Sequence, residues 1–170
     1  EDTAGAVETG DLLTRLGGDF EEALEEAEER CREYTSRAGF VEGGELLAPE
    51  PVYVMACEVK HVAAEFAGAR EPTDAERGYV VALVEGVETG EPPSPEERPA
   101  SLDPAHNRAV AETVEEYAKE LSSYLRSVGE TDGRVEEARD LARRTQATDG
   151  DADDAVEGLR LLRDVYEELS

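Results

Sequence analysis

The amino-acid sequence predicts an all-α fold: a bundle of five or six helices with a proline-rich connection in the middle. Three observations carry that prediction. Apolar residues recur at gaps of three and four through most of the chain, the spacing that lines one side of an α-helix. Capping residues stand where several of the periodic stretches begin. No period-two alternation runs long enough to define a strand.

The first helix is expected over 19–38, where Phe20, Ala23, Leu24, Ala27, Cys31, Tyr34 and Ala38 form one apolar stripe. Gly17 and Gly18 break the chain before it, and Asp19 with Glu22 makes an acidic variant of the capping box. A shorter apolar piece, 12–16, is expected to pack on its start. Gly43, Gly44 and Pro49 mark a loop. Pro51 opens a second helix to residue 67, with Val52, Met55, Ala56, Val59, Ala63 and Phe66 on one face. Thr73 and Glu76 form a further capping box for a third helix to residue 87, whose core face is Val80, Leu83, Val84 and Val87. On that helix Ala75, Gly78, Ala82 and Gly86 make a stripe of small residues, a place for another helix to approach closely.

Pro92, Pro93, Pro95 and Pro99 make 89–102 an extended connection, because proline removes a helix donor and clashes with the preceding turn. Asp103 as N-cap and Pro104 at the first helical position then start the longest helix. Val110, Val114, Tyr117, Leu121, Leu125 and Val128 repeat along it until Gly129. Two shorter helices follow, 131–145 and 153–169, separated by a turn at 148–151. Their expected core positions are Val135, Ala138, Leu141 and Ala142, then Val156, Leu159, Leu162, Val165, Tyr166 and Leu169. The organisation expected is a polar segment or linker, 1–18, followed by one helical domain, 19–170. A start at Glu1 without an initiator Met suggests a domain excised from something longer.

Charge bounds the function. The chain carries 43 Asp and Glu against 17 Lys and Arg, a formal net charge of −26, and only Lys60 and Lys119 are lysines. Such a surface repels itself in dilute buffer, whereas at about 1 M salt the screening length falls to ~3 Å and the repulsion fades. Few lysines, abundant glutamate and small core residues therefore fit a salt-filled cytoplasm, and the composition reads as that of a halophile, haloarchaeal protein. The competing reading is an acidic mimic of DNA or a ligand for a basic partner. That would concentrate acids on one face, yet they occur along almost every segment. Direct nucleic-acid binding is disfavoured for want of a basic footprint. No apolar run approaches a membrane span and no secretory pattern is present. Cys31 and Cys57 are too few for a disulfide framework or a zinc site. The expected location is cytoplasmic, with no cofactor beyond K+ and other salt ions for stability.

Glu58 and His61 form an E-x-x-H pair, Asp103 and His106 are spaced identically, and these are the chain's two histidines. Paired E-x-x-H motifs bring carboxylate and imidazole to a metal pair in di-metal bundles. Here Asp103 sits at a helix start, and His61 lies opposite the Val52, Met55, Val59 face. Two surface or boundary histidines are the favoured reading. Cys57 shares a side of its helix with His61, but nothing nominates an oxyanion hole for it; Cys31 lies on the core stripe. Arg134, Arg139, Arg143 and Arg144 make one locally basic helix. Arg143 and Arg144 are expected in its last turn, complementing the helix dipole, with phosphate binding less favoured and contacts with the acidic surface a secondary use. No Walker-type loop, G-x-G-x-x-G, H-E-x-x-H or G-x-S-x-G occurs.

Three stretches carry a resemblance: Cys31-Arg-Glu-Tyr-Thr-Ser-Arg-Ala-Gly-Phe-Val-Glu-Gly-Gly-Glu-Leu46, Tyr53-Val-Met-Ala-Cys-Glu-Val-Lys-His-Val62, and Gly90-Glu-Pro-Pro-Ser-Pro-Glu96. Together they resemble an uncharacterised haloarchaeal family in which a zinc ribbon, similar to that of transcription factor B, precedes an acidic helical region. The resemblance implies a helical domain in a transcription-associated protein. The ribbon's cysteine pairs are absent here, so no zinc ligand carries over to a numbered position; zinc would belong only to a missing N-terminal ribbon. A weaker likeness, in 79–96 and the closing helix, is to translin-type helical bundles, without their acidic catalytic pattern.

The leading expectation is a non-enzymatic helical interaction or regulatory module adapted to high salt. It would bind a protein partner, or itself, through an apolar strip left over when the bundle closes, with no membrane contact. The alternatives are a metal-dependent helical enzyme using Glu58, His61, Asp103 and His106, and the helical part of a zinc-ribbon protein.

Overall fold

The computed structural model describes residues 14–15, 18–37, 40–42, 44–46, 51–66, 71–148 and 152–169. Among them the chain is all-α. Its helices are α1 (Phe20–Arg37), α2 (Pro51–Phe66), α3 (Asp74–Thr89), α4 (Asp103–Ser127), α5 (Gly133–Thr148) and α6 (Ala152–Leu169). Two-residue strands, β1 (Val41–Glu42) and β2 (Glu45–Leu46), form an antiparallel hairpin pairing Val41 with Leu46 and Glu42 with Glu45. Strands that short leave no alternation to read, so the sequence showed only a loop there. Most of 1–18, Ala38 and most of the 148–151 turn lie outside the described residues. Among the described residues no helix is long and apolar enough to cross a membrane.

The chain divides into two compact units, Glu1–Ala38 with Pro51–His106 and Gly39–Glu50 with Asn107–Ser170. The span 19–170, expected as one helical domain, takes in both units. In the first unit α1 packs on α2, and α2 on α3. Phe20, Leu24, Ala27 and Cys31 are buried as their stripe predicts, and Phe20 meets Phe66 edge-on with centroids 6.0 Å apart. The expected single face of α2 is too narrow. Tyr53, Cys57, Glu58 and Val62 are buried as well, because a helix with neighbours on two sides needs two covered faces.

The α3 capping box forms in full: Thr73 accepts from the Glu76 N–H, and Glu76 accepts from the Thr73 N–H. The helix ends at Gly90, φ 86, whose N–H returns to Gly86 O at 2.7 Å. The stripe of small residues does not work as a unit. A Cβ on Gly86 would sit 2.6 Å from Met55 Sδ and 2.7 Å from Glu91 O, whereas one on Gly78 would meet nothing within 4 Å. Close approach is thus a property of Gly86 alone.

Asp103 is not an N-cap. The 3-10 turn Ala100–Leu102 runs directly into α4, so Asp103 has helical dihedrals of φ −58 and ψ −42. At its far end α4 closes in a Schellman motif, with Glu130 N–H to Leu125 O at 2.8 Å and Gly129 N–H to Arg126 O at 3.1 Å. In the second unit Val110, Val114, Tyr117, Leu121 and Leu125 of α4 are buried, but Val128 is 51% exposed because the helix has already ended. Phe40 packs edge-on against Tyr117 at 4.8 Å and its N–H donates to Glu120 Oε1 at 2.7 Å, which docks the hairpin on α4.

The α6 register also differs from expectation. Ala155, Gly158, Leu161, Leu162 and Val165 face inward, while Val156 is 55% and Leu169 37% exposed. A Cβ on Gly158 would lie 3.2 Å from both Ala138 O and Val114 Cγ1. The small residues Ala155, Gly158 and Ala138 set the contact between α5 and α6, and they turn Val156 outward.

Gly86→Ala should destabilise the protein by about 1–3 kcal/mol through overpacking, while Gly78→Ala should stabilise it by about 0.5–1 kcal/mol by restricting the unfolded chain. Urea unfolding of both variants in concentrated KCl checks this opposite sign.

Candidate functional site

Glu58 stands mid-way along α2, only 2% exposed. An unpaired carboxylate there would be severely penalised by the loss of water. It is instead fully met. The Tyr79 hydroxyl of α3 donates to Oε2, and His106 Nδ1, in the first turn of α4, lies 2.9 Å from Oε1. With Glu58 as a carboxylate both oxygens accept, which places the His106 proton on Nδ1. Nearby, Arg98 Nε donates to Asp103 Oδ1 at 2.8 Å. The result is a buried triad, Tyr79–Glu58–His106, with the Arg98–Asp103 pair beside it in the same unit.

The electrostatics keep each member in its role. Burial first, then the Glu58 charge and hydrogen bond, push the Tyr79 phenol well above its ordinary range, so it remains a donor. Burial pulls Arg98 downward, but the hydrogen bond to Asp103 and the electron-rich Tyr79 and Glu58 side chains outweigh it, and the net direction is up. A second buried glutamate, Glu76, is satisfied separately. Beyond its cap bond it accepts from Ser101 Oγ at 2.5 Å, tying the start of α3 to the turn before α4.

The four residues singled out by their spacing therefore part company. Glu58 and His106, from different pairs, come together. Asp103 is engaged by Arg98, and His61 is half-buried further along α2. Among the described residues no group of three or more His, Cys, Asp or Glu side chains is placed to hold a metal ion. Glu58 spends both its oxygens on protein donors and Asp103 its Oδ1 on Arg98, a poor match to a di-metal donor set. Tyr79 and Arg98 were missed from sequence, since no local spacing connects them to Glu58. Cys57 is fully buried; burial pushes the Cys31 thiol up to about 12 against the opposing charge of Lys60, which leaves it inert.

The basic helix resolves differently from its expected dipole role. α5 continues to Thr148, so Arg143 and Arg144 lie before its last turn. They act between helices. Arg143 Nε lies 3.2 Å and Arg139 Nη2 3.7 Å from Glu115 Oε2 of α4, and Arg144 is 3.8 Å from Asp154 of α6. Arg134 grips two carboxylates at once: Asp132, which also caps α5 by accepting from the Arg134 N–H at 3.0 Å, and Glu168 near the end of α6, through bonds of 2.7 and 2.9 Å.

Residues 9–169 match the family of unknown function DUF7117, and the chain belongs to that family. No curated protein and no solved structure matches it.

Tyr79→Phe should cost about 1–3 kcal/mol, because it strips a donor from a buried carboxylate; chemical denaturation measures it. Arg134 yields a pH signature. Its hydrogen bonds hold Asp132 below the ordinary 3.8 and Glu168 below the ordinary 4.5. Carboxylates depressed in the folded state contribute stability above those ordinary values and lose it as pH falls through the folded ones. The melting-temperature gap between wild type and Arg134→Gln should therefore be full at about pH 6 and shrink towards about pH 3.

Proposed function

We propose that this chain is a non-enzymatic helical interaction module adapted to concentrated salt, working in the cytoplasm of a halophile. The observation that carries it is an apolar strip on α6. Val156 is 55% exposed, and Leu159 and Tyr166, which share its side of the helix, are half-buried after the second unit has closed. Arg160 and Glu167 flank these residues and Arg163 stands among them, so the contact offered is a small apolar one set among charges. The −26 charge supports the salt reading, since only at high ionic strength could two such acidic surfaces meet without long-range repulsion. A protein partner or a second copy of the chain would sit there. The resemblance to haloarchaeal zinc-ribbon proteins would place such a module beside a transcription-associated ribbon.

A metal-dependent enzyme is the second reading, favoured by one observation: Glu58 and His106 meet at 2.9 Å. Elemental analysis of chain purified without chelator separates the two, because the interaction module needs no transition metal.

Sedimentation in multimolar KCl tests the leading proposal, alone and with affinity-purified partners. The expected result is an assembly that Val156→Asp dissociates by about tenfold or more in Kd, the effect of roughly 1.4 kcal/mol. A wild-type monomer that retains no partner would sink it. Circular dichroism without KCl should show loss of helix; equal folding with and without the salt would remove the halophilic premise.

A further inference from the structure

We propose that the first unit carries a binding site for a small free α-amino acid, with Arg77 as the anchor for its carboxylate. The inference is independent of the α6 strip. A recess of about 240 Å³ opens between the start of α1, the end of α2 and the beginning of α3. Phe20, Phe66 and Pro72 supply its apolar lining, and Arg77, Asp19, Glu21 and Glu71 its charged lining. Phe20 and Phe66 are buried and meet edge-on with centroids 6.0 Å apart, so the recess is backed by packed core. The Arg77 guanidinium lies over the Phe20 ring, 5.0 Å from its centroid, a contact that holds the cation in place.

What singles out Arg77 is an acceptor it lacks. Arg15, Arg30, Arg98 and Arg134, half-buried as it is, each meet a carboxylate within 2.8 Å. Among the described residues Arg77 has no hydrogen-bond or ion-pair partner, although Asp19, Glu21 and Glu71 line the same recess. A guanidinium is best answered by a carboxylate, which takes two parallel N–H bonds from its fork. The acids decide what that carboxylate must be attached to. A simple anion would meet repulsion from Asp19, Glu21 and Glu71, and a simple cation would leave Arg77 without an acceptor. A zwitterion answers both, its carboxylate on Arg77 and its ammonium among the acids. The volume lies below the roughly 300–1,000 Å³ of sites for drug-sized ligands, and the phenylalanines and Pro72 suit a short aliphatic side chain. Those requirements together describe an amino acid such as valine.

The test uses the full chain, labelled with 15N-arginine, at one fixed concentration of KCl. L-valine is compared with isovalerate, which lacks the ammonium, and isobutylamine, which lacks the carboxylate. The expected result is a saturable shift of the Arg77 Nε–H signal by valine with a Kd of about 1 mM or tighter, equivalent to roughly 4.1 kcal/mol. Each truncated probe should bind at least about tenfold more weakly, the effect of roughly 1.4 kcal/mol. No saturable shift, a shift confined to other arginines, or isovalerate binding as tightly as valine overturns the proposal. Arg77→Lys, checked by circular dichroism for folding, keeps the charge but loses the fork and should weaken valine by a similar factor; unchanged affinity overturns the role given to Arg77. If that variant does not fold, Glu71→Gln, at an exposed position, decides. It should weaken valine while leaving isovalerate as tight or tighter, and an equal loss for both overturns the zwitterion assignment.

Discussion

The constraint on which the structure depends is a shortage of large apolar side chains. With three Phe, no Trp and 43 acidic residues, bulk cannot fill the interior; helix backbones have to come close. Ala23, Ala27, Ala56, Ala105, Ala109, Ala111, Ala118, Ala138, Ala142 and Ala155 are all buried. Gly86 and Gly158 mark the tightest approaches, where even one added carbon meets a neighbour at 3.2 Å or less. Small residues contribute little burial each, so the fold relies on dispersion between closely packed backbones and on a few large anchors such as Tyr117, Leu83 and Leu162.

A thin core of that kind raises the value of polar groups that can be buried without loss. Glu58 and Glu76 are both almost inaccessible, and each has both carboxylate oxygens engaged. Glu58 ties α2 to α3 and to the start of α4, and Glu76 ties the start of α3 to the turn before α4. Such networks confer geometry more than net stability, because every member must be in place before any is satisfied. The same network holds the His106 ring, whose Nδ1 lies 2.9 Å from Glu58 Oε1.

Much of this was legible from sequence where the signal is local. The α1 stripe, the Thr73 capping box, the Gly129 stop and the heptad-like run to Leu125 depend on neighbours within one helix. The misreadings arise where a distant residue decides. Val156 fits a helical stripe as well as Ala155 does, and only the close seat of Gly158 on Ala138 chooses between them. Asp103-Pro104 has the composition of a helix start, but a preceding 3-10 turn had already begun the winding. Glu58 and His106 were each singled out with the wrong companion. The E-x-x-H spacing sees one turn of helix, and their actual contact spans 48 positions. Tyr79 and Arg98 carry no motif at all.

The arginines show how an acidic chain reconciles repulsion with folding. In brine at about 1 M the screening length of ~3 Å removes the long-range field of the carboxylates while leaving hydrogen-bonded contacts of about that same length. Arg134 works in this short-range regime: its guanidinium meets Asp132 and Glu168 at 2.7 to 3.1 Å, with paired bonds whose directionality salt does not erase. The approaches of Arg143 and Arg139 to Glu115 and of Arg144 to Asp154, at 3.2 to 3.8 Å, are longer, and salt weakens them more. A lysine would offer one mobile point charge where Arg134 offers a planar fork. The near-absence of lysine is then more than a solubility feature. It selects the cationic side chain whose forked pairing concentrated salt weakens least.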